Sequence, residues 1–111
     1  MRAGNIVLIE MPQSDGKAKL RPALLLKVLP QYNDFLVCGI SSQINQHING
    51  YDEILYEETN YFSETGLRKT SLIRLFFIAI VPGKKISGGI GKIPTSLHQD
   101  LLERLAKFLV A

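Results

Sequence analysis

No segment restricts the folds open to this chain more than Ser71 to Val81, which reads Ser-Leu-Ile-Arg-Leu-Phe-Phe-Ile-Ala-Ile-Val. β-Branched and aromatic residues dominate it, so it predicts a strand. Side chains alternate between the two faces of a strand. One face then carries Ser71, Ile73, Leu75, Phe77, Ala79 and Val81, and the other Leu72, Arg74, Phe76, Ile78 and Ile80. Apart from Arg74 and the leading Ser71, both faces are apolar. A small sheet protein has one core of its own, so a strand apolar on both sides needs a second cover. Either a C-terminal helix or a partner subunit can supply it. The longest apolar run, Leu75 to Pro82, is far below the ~20 residues that span a bilayer.

The flanking pattern is that of a short-stranded sheet. Asn5 to Met11 predicts a strand around Ile6-Val7-Leu8-Ile9, stopped by Pro12-Gln13-Ser14-Asp15-Gly16. A loop through Lys17 and Lys19 leads to a second strand that starts at Arg21-Pro22 and ends by Pro30. A third spans Asp34 to Ile40. Residues 41–52 are polar and unpatterned, and Asp52 to Tyr56 is a short strand. Residues 57–70 read mostly as loop, with a turn at Gly66. Ile86 to Ile93 is a glycine-weakened strand. A helix then starts at Pro94-Thr95-Ser96, with Ser96 and Gln99 matching a capping box. Leu97, Leu101, Leu102, Leu105, Phe108 and Leu109 make its apolar stripe, and His98 falls within that stripe as a hydrogen-bonded packing residue. The fold class is mainly β (α+β): a small barrel with a helix on its side, one domain over residues 1–111.

Composition excludes several classes. A single cysteine, Cys38, forbids an internal disulfide, and with only His47 and His98 it is poor material for a zinc site. Cys38 reads as a buried small hydrophobe in a reducing, cytoplasmic setting. No apolar core of the roughly 7–15 residues of a signal peptide follows Met1. Charge is uneven. Residues 28–67 contain no Lys or Arg but six acids, whereas the remainder holds all 13 bases against four acids. Such asymmetry fits a side that faces a polyanion such as nucleic acid.

Three blocks in order resemble the MazF/PemK family of toxin endoribonucleases. The first is Gly4-Asn5-Ile6-Val7-Leu8-Ile9, Pro12, Asp15-Gly16 and Lys19-Leu20-Arg21-Pro22-Ala23-Leu24-Leu25-Leu26. The second is Ile40-Ser41-Ser42-Gln43. The third is Gly66-Leu67, Lys69 and Ser71-Leu72-Ile73-Arg74, followed by Gly88-Gly89-Ile90-Gly91-Lys92-Ile93 and the helix. Three departures stand out: Asn5 replaces a usual acid, Ser41 a usual Thr, and Phe76-Phe77 a frequent Asp-Gln. The resemblance implies an SH3-like/CcdB-like barrel that pairs into a homodimer, with Phe76 or Phe77 at or beside the interface.

It also implies cleavage of single-stranded mRNA, without metal or other cofactor, by a toxin held in check by an antitoxin. In such chemistry the substrate's 2′-OH attacks its own phosphate, and the protein stabilises charge and moves protons. The resemblance assigns this catalytic work to Arg21 and Ser41. Arg21 is a forked cation able to hold a phosphate, and Ser41 a hydroxyl donor. Lys17, Lys19, Ser42, Gln43 and Arg74 are the expected substrate contacts, converging on one positive groove that an acidic antitoxin tail also enters. Outside the resemblance, Arg21 reads as a surface ion-pair partner and Ser41-Ser42-Gln43 as a polar turn. Arg74 interrupts an apolar face and so needs a carboxylate, a carbonyl, an interface or a phosphate. His47 is the one conventional base near Ser41 in sequence. Two alternatives share the barrel: a non-enzymatic, gyrase-binding CcdB-like toxin, and an inactive RNA-binding homologue.

Overall fold

Antiparallel hydrogen bonding builds the whole sheet, and among the described residues three of its five pairings join strands adjacent in sequence. The computed structural model describes residues 1–12 and 15–111. Its strands are β1 (Asn5–Pro12), β2 (Ala18–Val28), β3 (Asp34–Ser41), β4 (Glu53–Leu55), β5 (Ser71–Pro82) and β6 (Ile86–Lys92), followed by the helix α1 (Thr95–Val110). Short 3₁₀ turns occupy Ile44–Gln46, Phe62–Thr65 and Gly83–Lys85. The sheet order is β4-β5-β3-β2-β1-β6. No helix among the described residues is long and apolar enough to cross a membrane.

Two boundaries differ from those the sequence suggests. β2 starts at Ala18 rather than Arg21, because the β1–β2 ladder continues through Glu10–Leu20 and Met11–Lys19 to Pro12–Ala18. Lys19 is therefore a strand residue, two positions before Arg21 and on its face. The strand stop expected at Gln13-Ser14 lies outside the described residues. The capping box is not formed. Pro94 is the N-cap, with no side-chain cap bond, and Ser96 is already inside the helix.

The double-faced character of β5 is met by two cores. On one side Ile6, Leu24, Leu26, Cys38, Ile40, Leu55, Phe62, Ile73 and Leu75 pack with Leu101 and Leu105 of α1. On the other Val7, Ile9, Ala23, Leu25, Phe35 and Val37 pack together as the sheet curls, joined by Val81 and Ile86. His98 fastens the helix through its Nε2, 2.9 Å from the Leu26 carbonyl. Arg104 adds hydrogen bonds to Glu53, Asp100 and the Tyr51 carbonyl. Cover runs out towards the end of β5: Phe77, Ile78 and Ile80 are exposed, as are Phe108, Leu109 and Val110 of α1.

Among the described residues, β4 and β6 are edges without a strand ladder between them. The gap is bridged by the turn at Phe62–Thr65, which leads into Gly66. Gly66 has φ +73°, a left-handed conformation natural to glycine. A Cβ there would collide with the Ile90 carbonyl, and one on Gly91 with the Glu64 and Thr65 backbone. The result is barrel-like, closed by backbone against backbone.

Register slips once within the β3–β5 ladder, and this slip shapes the site. Cys38 pairs with Ile78, but the next residue, Gly39, pairs with Arg74. Leu75, Phe76 and Phe77 are thus left without partners on β3, which makes a bulge. The Leu75 N–H instead donates to the Asp52 carboxylate at 3.0 Å. Asp52 is 4% exposed and also accepts from the Ile48 N–H at 3.0 Å. Phe76 turns under α1, its ring centroid 4.8 Å from Tyr51 and 4.4 Å from Phe108.

Candidate functional site

Strand register brings Arg21, Ser41 and Arg74 to one face. Ala23 of β2 pairs with Gly39 of β3, and Gly39 pairs on its other side with Arg74 of β5. The β2–β3 ladder ends at that pair; Arg21 and Ser41 lie two residues beyond it on their own strands, on the face of Ala23 and Gly39. The same face holds the Ile9, Ala23 and Val37 core. Where that core ends, a cavity of about 780 Å³ opens. Arg21, Ser41, Ser42, Gln43 and Arg74 all line it. Lys17 and Lys19 do not line it. The groove expected to take both lysines takes its other cations from a different segment.

That segment is the connection from β4 to β5. Arg68 and Lys69 line the cavity along with Gly66 and Leu67. The loop is held at its base by reciprocal bonds: Glu57 N–H donates to Thr70 Oγ1 at 3.0 Å, and Thr70 N–H to Glu57 Oε1 at 3.1 Å. Buried Thr65 donates to the Phe62 carbonyl and accepts the Leu67 N–H. Ser71 Oγ donates to the Lys69 carbonyl at 2.8 Å. The basic wall is therefore anchored, not a free tail. Sequence reasoning missed Arg68 and Lys69 as site residues, although their adjacency after a turn glycine was visible.

The lining carries four cations, Arg21, Arg68, Lys69 and Arg74, and no carboxylate among the described residues. The ion pairs among the described residues are both made by Arg104, with Glu53 and Asp100. The reading of Arg21 as an ion-pair partner thus finds no carboxylate here. Uncompensated cations in a concave, partly apolar setting attract an anion. Arg74 meets an aromatic instead of a carboxylate: its guanidinium carbon lies 4.8 Å from the Phe77 ring centroid. Strict alternation would put residues 74 and 77 on opposite faces; the bulge puts them together.

Ser41 is half-buried, and its Oγ accepts the Gln43 N–H at 3.0 Å. This bond uses a lone pair and leaves the hydroxyl hydrogen free to donate towards the cavity. His47 is not part of the arrangement. Its Nε2 lies 3.1 Å from the Asp52 carbonyl oxygen, to which it donates, outside the cavity lining. Cys38 is buried in the helix-side core, and burial, with the Asp52 charge second, pushes its thiol up to about 12. It is no nucleophile at neutral pH. Asn5, which replaces a usual acid, makes a local bond away from the cavity, its Oδ1 accepting the Arg2 N–H at 2.9 Å.

Comparison with known proteins covers nearly the whole chain. The family model described as PemK-like, MazF-like toxin of type II toxin-antitoxin system matches residues 2–109. No curated protein sequence matches significantly. Among solved structures, the Mycobacterium tuberculosis toxin MazF-mt6 is similar with a TM-score of 0.66 at 19% identity, over 93% of each chain. The MazE-MazF structure (Form-II) from Deinococcus radiodurans is similar with a TM-score of 0.70 at 14% identity. That match covers 98% of this chain and 95% of the other. At such identities the structural likeness speaks for the fold.

Proposed function

From the premise that this chain belongs to the PemK-like, MazF-like toxins of type II toxin-antitoxin systems, we propose that it is an endoribonuclease cleaving single-stranded mRNA, with Arg21 and Ser41 as its catalytic residues. The observation that carries this reading is the cavity in which both stand beside three further unpaired cations. The scissile phosphate sits between Arg21 and Ser41. The guanidinium fork holds its non-bridging oxygens and stabilises the charge that builds as the substrate 2′-OH attacks. The Ser41 hydroxyl, oriented by the Gln43 N–H, donates to the same phosphate. A guanidinium offers donors and no acceptor, so the part of Arg21 is electrostatic stabilisation and support of the departing 5′-oxygen. Ser42, Gln43, Arg68, Lys69 and Arg74 hold the flanking nucleotides. Lys19 extends the row of Arg21 along β2, and Lys17 precedes it, both beyond the cavity on the path of a longer RNA.

The 2′-oxygen bonds to phosphorus as the bond to the 5′-oxygen breaks, the 2′-OH proton passes to solvent water and the 5′-oxygen takes one back, so the products are a 2′,3′-cyclic phosphate and a 5′-hydroxyl. Incubating the protein with a long unstructured RNA in EDTA, then mapping 5′ ends, tests the reading. Discrete cuts bearing 5′-hydroxyls are expected. Intact RNA would favour a non-enzymatic toxin or an RNA-binding homologue instead. An antitoxin with an acidic tail silences the site by lying in the same cation-lined cavity, so adding it to this assay competes with RNA.

The working form is a homodimer. Ile78 and Ile80 pair with Cys38 and Leu36, which places them on the helix side of the sheet, yet they are 44% and 64% exposed. With Phe108 they form an uncovered apolar strip beside Phe76, of the kind that marks an interface. Ile80→Glu is expected to shift the sedimentation-equilibrium mass from dimer to monomer at micromolar protein without loss of secondary structure. A wild-type monomer at that concentration refutes the assignment.

A further inference from the structure

Phe77 is the least expected component of the cavity. A phenylalanine stabilises a fold by being buried, yet Phe77 is 55% exposed among cations. It is nonetheless fixed in place. The Cδ2–Cε2 side of the ring lies against Gly39 so closely that a Cβ on that glycine would stand 2.7 Å from Cδ2. The Arg74 guanidinium lies over the ring, 4.8 Å from its centroid. The bulge at Leu75–Phe77 turns it towards the cavity, and Asp52 holds that bulge through the Leu75 N–H. Gly39 is also the residue paired with both Ala23 and Arg74, so the ring sits one rung from the level of Arg21 and Ser41. A supported, exposed aromatic in contact with one cation, in a cavity lined by three more, has the form of a platform for a flat ligand that carries negative charge.

We propose that Phe77 is a specificity-determining residue that stacks an unpaired nucleobase of the bound RNA, while Arg74 holds a phosphate of the same nucleotide. This deepens the ribonuclease reading and rests on it. Single-stranded RNA is read by stacking splayed bases on aromatic and guanidinium planes. The contact between Arg74 and Phe77 matches one nucleotide, whose base and phosphate have a fixed reach. An acidic peptide, whose aromatic residues stand at no set distance from its charges, requires no such pairing. Base selection is thereby placed on the bulge of β5.

The test uses a short 2′-O-methyl RNA, which cannot be cut, and the same backbone with abasic residues in its centre. Affinities are measured by fluorescence anisotropy for the wild type, Phe77→Leu and Phe77→Trp. The wild type is expected to prefer the base-bearing strand by roughly 5- to 100-fold, the span of one stacking contact. Phe77→Leu should lose that preference and keep the abasic affinity. Phe77→Trp should keep it. The chain has no tryptophan of its own, so the emission of this variant reports stacking directly and should be quenched by the base-bearing strand alone. Equal affinity of Phe77→Leu and wild type for both strands overturns the proposal. So does an equal loss on both, which would leave the ring only a support for Arg74. If Phe77→Leu keeps its base preference but no longer binds an acidic, aromatic peptide, the platform serves a protein partner and the proposal is wrong. A wild type that binds neither strand removes the ribonuclease reading itself, a result distinct from all of these.

Discussion

Arg21→Ala will lose RNA cleavage by at least ~10²–10³-fold, the effect of deleting one preorganised donor at a developing oxyanion, and will melt where the wild type does. Two features separate the losses. Arg21 is exposed, and among the described residues its side chain makes no hydrogen bond or ion pair, so the fold draws little from it. It also lines the cavity together with Ser41, beside three further cations whose combined field draws in a phosphate. Arg21→Lys keeps the charge but loses the fork, and should recover only a small part of the rate. The check is single-turnover cleavage of a defined oligonucleotide beside a thermal melt. Cleavage by Arg21→Ala at the wild-type rate would place the chemistry elsewhere.

Asp52→Ala carries the largest expected loss of stability. The carboxylate is buried and accepts from two backbone donors, Ile48 and Leu75. Truncation leaves both N–H groups without their acceptor and an empty space beside the bulge. A stranded buried donor costs about 1–3 kcal/mol; the Leu75 N–H is buried and the Ile48 N–H only partly so, so a total of about 2–4 kcal/mol is expected. For a chain of this size that lowers the melting temperature by roughly 10–20 °C. Asp52→Asn retains one acceptor and should fall about midway. Urea denaturation of the three proteins decides the matter; a change below about 0.5 kcal/mol for the alanine variant would show that water replaces the carboxylate without penalty.

Much of the architecture was legible because periodicity and turn chemistry are local. The six strands, the terminal helix and its Leu101–Leu105 stripe follow from alternation, from Pro and Gly, and from helical spacing. The capping box failed because Pro94 begins the helix one residue ahead of Thr95, and a matching tetrapeptide says nothing about where the first turn closes. Arg21, Ser41, Ser42, Gln43 and Arg74, which the motif blocks named, all line the cavity. Arg68, Lys69 and Phe77 line it too and were not named for it. The first two enter through a loop whose course depends on Thr65, Gly66 and the Glu57–Thr70 bonds, partners up to 13 residues apart. Phe77 was misplaced by the parity rule itself, since a register slip of the kind at Cys38–Gly39 inverts every parity argument beyond it. Its cause, Asp52 taking the Leu75 N–H from 23 residues away, leaves no mark in local sequence. Asp52 looked like the edge of a short strand and is a buried bracket.

The glycine seam between Gly66 and Ile90 has a consequence for the cooperativity of the molecule. A barrel closed by a ladder shares strain over many rungs; this one is latched at two points where main chain touches main chain. Arg68 and Lys69 follow immediately after the latch, and β6, its other half, is laced to β1. Phe62 of the latch turn belongs to the helix-side core, with Leu67 and Ile90 packed against it, so opening the seam would disturb that core and the placement of Arg68 and Lys69 together.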